Sequence, residues 1–508
     1  MALCARARKI APVEKNNAPS AADLIFMVFA PLTAIRGAVK LTQSDGDLAA
    51  HIRMGDTILA SGHIPSVSLS SYTATSDPLI AHAWLSEIVF ALLFRVGGLP
   101  LLAATTGIVV GLTHGSIALF LRKRGADPRW AFLAALMSLA LASTHWLTRP
   151  HLFSIVGAAL TLFLLESDRP RRELLSLPLF ALWANFHGGW LYGLALIGTY
   201  VAGDLAEALI GGERPKWLRA ARKNCIMFGV ATAATLLNPF GLSLHREVLS
   251  AVMNSSLATQ MSEFLPPNFQ ELAQLPFLLA LLTTIGLFAL TTRRIPLPWL
   301  GVILLSSFFA LRSFRNIALF GVTAWPLIAL QVARGWPAGR RGFPLFKEFA
   351  RLDPGSRIGI LGIPTAVLLL ALGLNRGHAG PVQVIADRWN ERKFPTVAVA
   401  KARAAALPGR VFDAWVWGGY IMYAWPEASL HVDPLKFNAE TMKSYTAIED
   451  LRPGWQEELS RWNVQTIIVK SASPLAKGLA RERSWSIWHR DSTAVIYRPA
   501  PGPTPLAP

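Results

Sequence analysis

Charge is scarce in this 508-residue chain: Asp, Glu, Lys and Arg together make up 16%, against 52% hydrophobic residues and a mean hydropathy of +0.39. A soluble domain of this size needs more polar surface, so the scarcity excludes an ordinary soluble enzyme and points to a polytopic membrane protein. Cysteine is nearly absent as well. Cys4 and Cys225 fall in segments expected at the cytoplasmic side, which argues against a disulfide framework or a zinc site. No nucleotide-binding glycine fingerprint occurs, and no internal repeat marks two transporter-like halves. No small-residue cleavage site follows the first apolar run, so residues 1–21 read as a basic cytoplasmic lead-in rather than a signal peptide. Acid is scarcer than base, giving a formal charge of +18. The basic residues form short clusters between apolar runs, the pattern of the positive-inside rule rather than of a nucleic-acid surface.

Apolar stretches long enough to cross a bilayer recur at 22–41, 98–121, 130–146, 151–166, 173–187, 189–210, 225–241, 274–291, 296–311, 316–333 and 358–374. The expected fold is therefore a polytopic α-helical membrane protein with about eleven transmembrane helices over residues 22–374. Basic loops such as "RKRGADPR", "ESDRPRRE" and "TTRRIP" alternate with loops such as "STHWLTRP", "NFHGG" and "RSFRN". With the N-terminus inside, this places a first outer loop, 42–97, and the tail from residue 375 in one extracytoplasmic compartment. Within the loop, "AHAWLSEIVFALLFRVGG" has Trp84, Ile88, Ala91, Leu92 and Arg95 at helical spacing and reads as an interfacial amphipathic helix. Residues 375–498 are less hydrophobic and mix helical and strand patterns. "GRVFDA" and "VQTIIVK" read as strands and "WSIWHRDSTAVIYRP" as a hairpin turning at Asp491-Ser492, so a small α/β domain is expected. The Pro-rich end, 499–508, is expected to be disordered.

Polar groups recur where segments meet the outer face: Asp45, Asp47, His51 and Arg53, then His82 and Glu87, Arg149 and His151, His187, Glu263, and Arg312, Arg315 and Asn316. Each alone reads as a solvated or snorkelling residue. Their shared sidedness outlines one polar site at the outer leaflet, because such groups are costly near lipid. The Asp45-Gly46-Asp47 spacing suits two jobs: taking a proton from an attacking hydroxyl, or holding a divalent cation, Mg or Mn, with His51 as a further ligand. Arg36 and Lys40 end the first helix where they can meet a lipid phosphate or serve as plain anchors. In "DAWVWGGYIMYAW", Trp415, Trp417, Tyr420 and Tyr423 fit either sugar stacking or the small domain's own core.

The ordered set "DGDLAAHIRMGDTIL", "HAWLSEIVFALLFRVGG", "RPHLFS", "NFHGGW", "LNPFG", "SEFLPPNF", "RSFRNIALF", "GRVFDAWVWGGYIMY" and "HVDP" resembles a family of bacterial integral membrane proteins related to the GT-C glycosyltransferases, over nearly the whole chain. The resemblance implies transfer of a sugar from a polyprenyl-phosphate or polyprenyl-diphosphate carrier to an acceptor glycan, lipid or protein outside the cytoplasm, at the bacterial inner membrane. It assigns the base to Asp45 or Asp47. The mechanism expected from these residues is inverting transfer, with Arg149, Arg312 and Arg315 as candidate phosphate clamps and His51, His82 and His187 as metal ligands or donors to sugar hydroxyls. Members usually carry aromatics before the histidine and D-G-R after the outer strand. This chain has Leu48-Ala49-Ala50 and Asp433-Pro434-Leu435. The alternatives are a transporter or flippase of lipid-linked saccharide and a non-catalytic envelope-polysaccharide assembly protein.

Overall fold

The computed structural model describes residues 19–44, 46–74, 78–253, 262–290, 293–335, 361–436 and 438–500. Most of the N-terminal lead-in, Asp45 and the Pro-rich end lie outside these residues.

Each of the eleven apolar stretches contributes a helix. The first is helical almost throughout, as α1 (Ala21–Pro31), a π turn (Leu32–Arg36) and α2 (Ala38–Gln43). The π turn follows Pro31, whose missing N–H weakens the regular ladder. After it come α3 (Asp47–Ser61), α4 (Trp84–Lys123), α5 (Pro128–Ala142), α6 (His151–Leu165), α7 (Ser176–Phe186), α8 (Trp190–Ile210), α9 (Arg214–Ala234) and α10 (Leu242–Met253). The set continues with α11 (Leu275–Leu290), α12 (Leu297–Arg312), α13 (Ile317–Gly335) and α14 (Gly362–Leu374). Among the described residues, three segments are long and apolar enough to cross a membrane unaided: Trp84–Lys123, Trp190–Ile210 and Phe314–Arg334. Four shorter apolar helices stand beside them, among them His151–Leu165 and Gly362–Leu374. Their outer faces are bare hydrocarbon: Ile363, Val367 and Leu368 are 58–70% exposed. Leaving such side chains in water forfeits about 1.5–3 kcal/mol each, so the surface suits lipid, as expected of a helical membrane protein.

The amphipathic segment expected before Gly97 does form a helix, but it runs into the next apolar stretch within α4. The two halves are separated where the backbone leaves helical geometry at Gly97 (φ −136°) and Gly98 (φ 62°). Gly98 is required there twice over: its φ is left-handed, and a Cβ would lie 2.0 Å from Asp387 Oδ1. That oxygen accepts from Leu99 N at 3.0 Å and so caps the second half of the helix.

Residues 410–499 form a five-stranded sheet of order β4-β3-β5-β7-β6, comprising β3 (Arg410–Asp413), β4 (Ser429–Leu430), β5 (Thr466–Lys470), β6 (Trp485–Arg490) and β7 (Ala494–Pro499). A two-stranded ribbon, β1 (His378–Ala379) with β2 (Val382–Gln383), precedes it. β3 pairs parallel with β4 and β5, while β7 runs antiparallel to β5 and β6. The β6–β7 turn falls at the expected Asp491-Ser492. Around the sheet pack α15 (Thr396–Ala404), α16 (Gly418–Ala424), α17 (Ala439–Glu449), α18 (Trp455–Arg461) and α19 (Pro474–Leu479). Of the four aromatics named above, Trp417 and Tyr420 are buried and Tyr423 packs edge-on against Phe94 of α4 at 5.7 Å. Trp415 is half-buried and packs edge-on against Tyr445 at 6.0 Å, so that stretch is mostly packing.

The first outer loop and the tail are joined in two places. Ser71 bridges Leu430 in parallel, and Tyr72 N donates to Leu430 O at 3.2 Å, so the loop extends the sheet beyond β4. His431 and Asp433 serve this junction: His431 Nδ1 meets Tyr72 Oη at 3.0 Å, and Ser68 Oγ donates to Asp433. The second joint is backbone against backbone. Gly46 N donates to Val416 O at 3.1 Å, and a Cβ on Gly419 would lie 2.1 Å from Gly46 O. Gly419→Val is therefore expected to pry the tail from the loop beside Asp47, at a cost of about 1–3 kcal/mol. The thermal midpoint of the purified protein should fall by several degrees; an unchanged midpoint would show that the contact is not needed.

Candidate active site

A cavity of about 610 Å³ lies between one set of ends of the apolar helices and the tail. Asp47, His51 and Met54 face it from α3 at intervals of four and three, one face of a helix. His82 and Glu87 enter from the turn before α4 and its first coil, Arg149 and His151 from the start of α6, and His187 from the end of α7. Glu263 and Arg315 complete the wall. These nine of the residues expected at the site are thus brought together.

Five others are not. Arg36 and Arg312 are exposed, and Lys40 turns its Nζ to Ser143 O at 2.9 Å, so none of the three lines the cavity. Arg53 lies two residues past His51, off the face shared by Asp47, His51 and Met54. Asn316 Nδ2 donates to Phe309 O at 3.2 Å and closes the end of α12. Sidedness selected these residues with the rest; helical rotation separates them. Asp45 lies outside the described residues.

The charged wall is a chain of alternating sign. Arg149 Nη1 is 3.0 Å from Asp47 Oδ2 and 3.7 Å from Glu263 Oε2, and Arg315 Nη1 is 3.2 Å from Glu263 Oε1. The Arg315 guanidinium also lies 4.6 Å from the centre of the Phe264 ring. The two carboxyls are pushed apart in acidity. Burial, with the negative charge of Glu263 adding to it, pushes Asp47 up to about 7. At Glu263 burial is outweighed by Arg315, His145 and Arg149 together, which hold it below the usual carboxylate range. The Asp47 side chain is 42% exposed, and it faces this half-open cavity.

The histidines are held by fixed partners. His51 Nδ1 lies 3.0 Å from Glu87 Oε1 and donates to it. Ser154 Oγ accepts from Trp183 Nε1 at 2.8 Å and lies 2.7 Å from His187 Nδ1, which is marked as an acceptor by the Gly189 N–H pointing at it. Gly189 N approaches the same atom at 3.2 Å. The His187 proton therefore sits on Nε2. His151 Nε2 donates to His145 O at 2.9 Å. Burial lowers the pKa of His82, favouring neutral imidazole.

Among the described residues no group of three or more His, Cys, Asp or Glu side chains is placed to hold a metal ion. Asp47 is engaged by Arg149 and His51 by Glu87.

Sequence reasoning missed the opposite wall. Met442, Tyr445, Thr446 and Glu449 recur along α17 at intervals of three, one and three and line the cavity, with Trp415, Pro434 and Leu435 beside them. The periodicity was there to be found in "MKSYTAIE". A half-polar helix face looks solvated until something is known to lie across from it.

No family model and no curated protein matches the sequence. Several solved structures are similar to it. The archaeal oligosaccharyltransferase AglB from Archaeoglobus fulgidus, in complex with an inhibitory peptide and a dolichol-phosphate, aligns with a TM-score of 0.52 at 12% identity, over 95% of this chain and 75% of its own. The apo form of the Archaeoglobus fulgidus oligosaccharyltransferase aligns at 0.53 and 12%, over 96% and 75%. ArnT from Cupriavidus metallidurans in the apo state aligns at 0.50 and 12%, over 93% of this chain and 96% of its own. At such identity the likeness is one of fold. The chain has the fold of the GT-C glycosyltransferases, the class to which both AglB and ArnT belong.

Proposed function

We propose that this protein is a membrane glycosyltransferase that moves a sugar from a polyprenyl-phosphate or polyprenyl-diphosphate carrier to an extracytoplasmic acceptor. The observation that carries the reading is the geometry of one cavity wall: Glu263 lies between Arg149 and Arg315, while Asp47, beside Arg149, opens onto the cavity and is pushed up to about 7 by burial. Such an arrangement keeps one group free for proton transfer and another for charge. The GT-C fold, in which AglB is described with a dolichol-phosphate, supports a lipid-linked donor.

In this reading the Asp47 carboxylate takes the proton of an acceptor hydroxyl. The oxygen then attacks the anomeric carbon from the face opposite the carrier, and the bond from that carbon to the phosphate oxygen breaks, inverting the centre. The electron pair leaves with the phosphate, whose charge falls to Arg149 and Arg315, guanidiniums suited to bidentate contact. His187 Nε2–H is a neutral donor available to a sugar hydroxyl or phosphate oxygen. The alternation of basic loops supports a protein of the bacterial inner membrane, with the N-terminus inside, about eleven spans, and cavity and tail outside.

A base raised to about 7 has a definite signature. The active form is the carboxylate, so kcat/KM should rise about tenfold per pH unit below 7 and level off above it. Transfer from a radiolabelled polyprenyl-phosphate sugar into a glycan-bearing acceptor extract, followed from pH 5 to 9, tests this. A rate that is flat across that range removes Asp47 from the role.

A further inference from the structure

The cavity holds acceptor groups that the phosphate contacts leave unused. Glu87 is only 3% exposed. Its Oε1 takes the His51 contact, while its Oε2 is buried with no hydrogen-bond partner. The negative charge of Glu87 thus lies just behind the cavity surface that the residue lines, with one oxygen left uncompensated.

The tail presents the same chemistry from the other side. Glu449 lines the cavity and is bonded to the Tyr445 hydroxyl, which itself accepts from Trp415 N at 2.7 Å. Trp415 adds an aromatic surface. None of the tail residues that line the cavity is Lys, Arg or His. Lys470 acts on Glu449 from outside the lining. All the arginine therefore comes from the membrane-side wall, and the tail side is acidic and aromatic. Carboxylates paired with an aromatic face suit a ring bearing hydroxyls or an ammonium group, and they repel a second anion.

We propose that Glu87, Glu449 and Trp415 form a sugar subsite that accepts a neutral or amino sugar and rejects a uronate. The proposal rests on the glycosyltransferase reading above and deepens it by naming a substrate class. The sugar is either the one carried by the lipid or the one at the acceptor's end.

Full-length protein in nanodiscs is titrated with methyl glucosaminide, methyl glucoside and methyl glucuronide, with binding read by saturation-transfer NMR. Bare polyprenyl phosphate is titrated in parallel. The glucosaminide should bind at least about tenfold better than the glucuronide, since charge-assisted hydrogen bonds favour one and repulsion opposes the other. Glu449→Gln and Glu87→Gln, both near-isosteric, should each reduce that preference several-fold while polyprenyl phosphate binds as before. A lipid already carrying glucosamine should displace the glycoside if the subsite serves the donor sugar, and leave it bound if it serves the acceptor. A glucuronide that binds as well, a preference unchanged in both variants, or no binding by any glycoside overturns the proposal, provided polyprenyl phosphate still binds. If polyprenyl phosphate itself does not bind the wild-type protein, the underlying glycosyltransferase reading fails instead.

Discussion

Asp47→Asn is expected to abolish detectable transfer, a loss on the order of 10²–10⁴-fold, the usual contribution of a positioned general base. Asparagine keeps the volume and an oxygen for Arg149, now 3.0 Å away, so the cavity should remain assembled. What disappears is the ability to accept a proton. Asp45→Asn should matter far less, since a base needs one geometry and the wall around Asp47 supplies it. The variant must still bind polyprenyl phosphate, which separates loss of chemistry from loss of structure. Retention of half the wild-type rate would remove Asp47 from the role of general base.

Arg149→Ala should have the next largest effect, weakening the binding of a polyprenyl-phosphate donor by about 10²–10³-fold. Removing the guanidinium takes away its charge-assisted contact to the phosphate and leaves two uncompensated carboxylates to repel it. Here both Asp47 and Glu263 would lose a cation. Arg149→Lys keeps the charge but loses the planar fork, and should recover only part of the affinity. Any residual transfer in Arg149→Ala should also shift to higher pH, because the Asp47 carboxylate loses its nearest positive neighbour. Arg315→Ala acts through Glu263 and Phe264 and should be the milder change. Equal donor affinity in wild type and Arg149→Ala would place the phosphate elsewhere.

Much of this was legible in the sequence because lipid simplifies the signal. A bilayer demands apolar runs, and each of the eleven stretches became a helix, though α9 begins well before its apolar portion, at Arg214. Sidedness was enough to gather Asp47, His51, His82, Glu87, Arg149, His151, His187, Glu263 and Arg315 from six separate segments. It could not resolve rotation about a helix axis, which is what excludes Arg53 from the face carrying His51. Nor could it separate site residues from their neighbours, as with Lys40, whose ammonium goes to a carbonyl. The tail's role was the least visible. "HVDP" looks like a site motif, yet His431 and Asp433 are buried in the joint that fastens the first outer loop to the sheet. Glu449 and Tyr445 sit in a helix whose polarity carries no sign of the cavity beneath it, because their partners are some four hundred residues away in sequence.

The most direct measurement is a density map of the protein with bound polyprenyl phosphate. The account predicts the phosphate within hydrogen-bond distance of Arg149 and Arg315, with the Asp47 carboxylate open toward the position of the sugar. A phosphate bound outside the cavity, or one that contacts neither arginine, would contradict it.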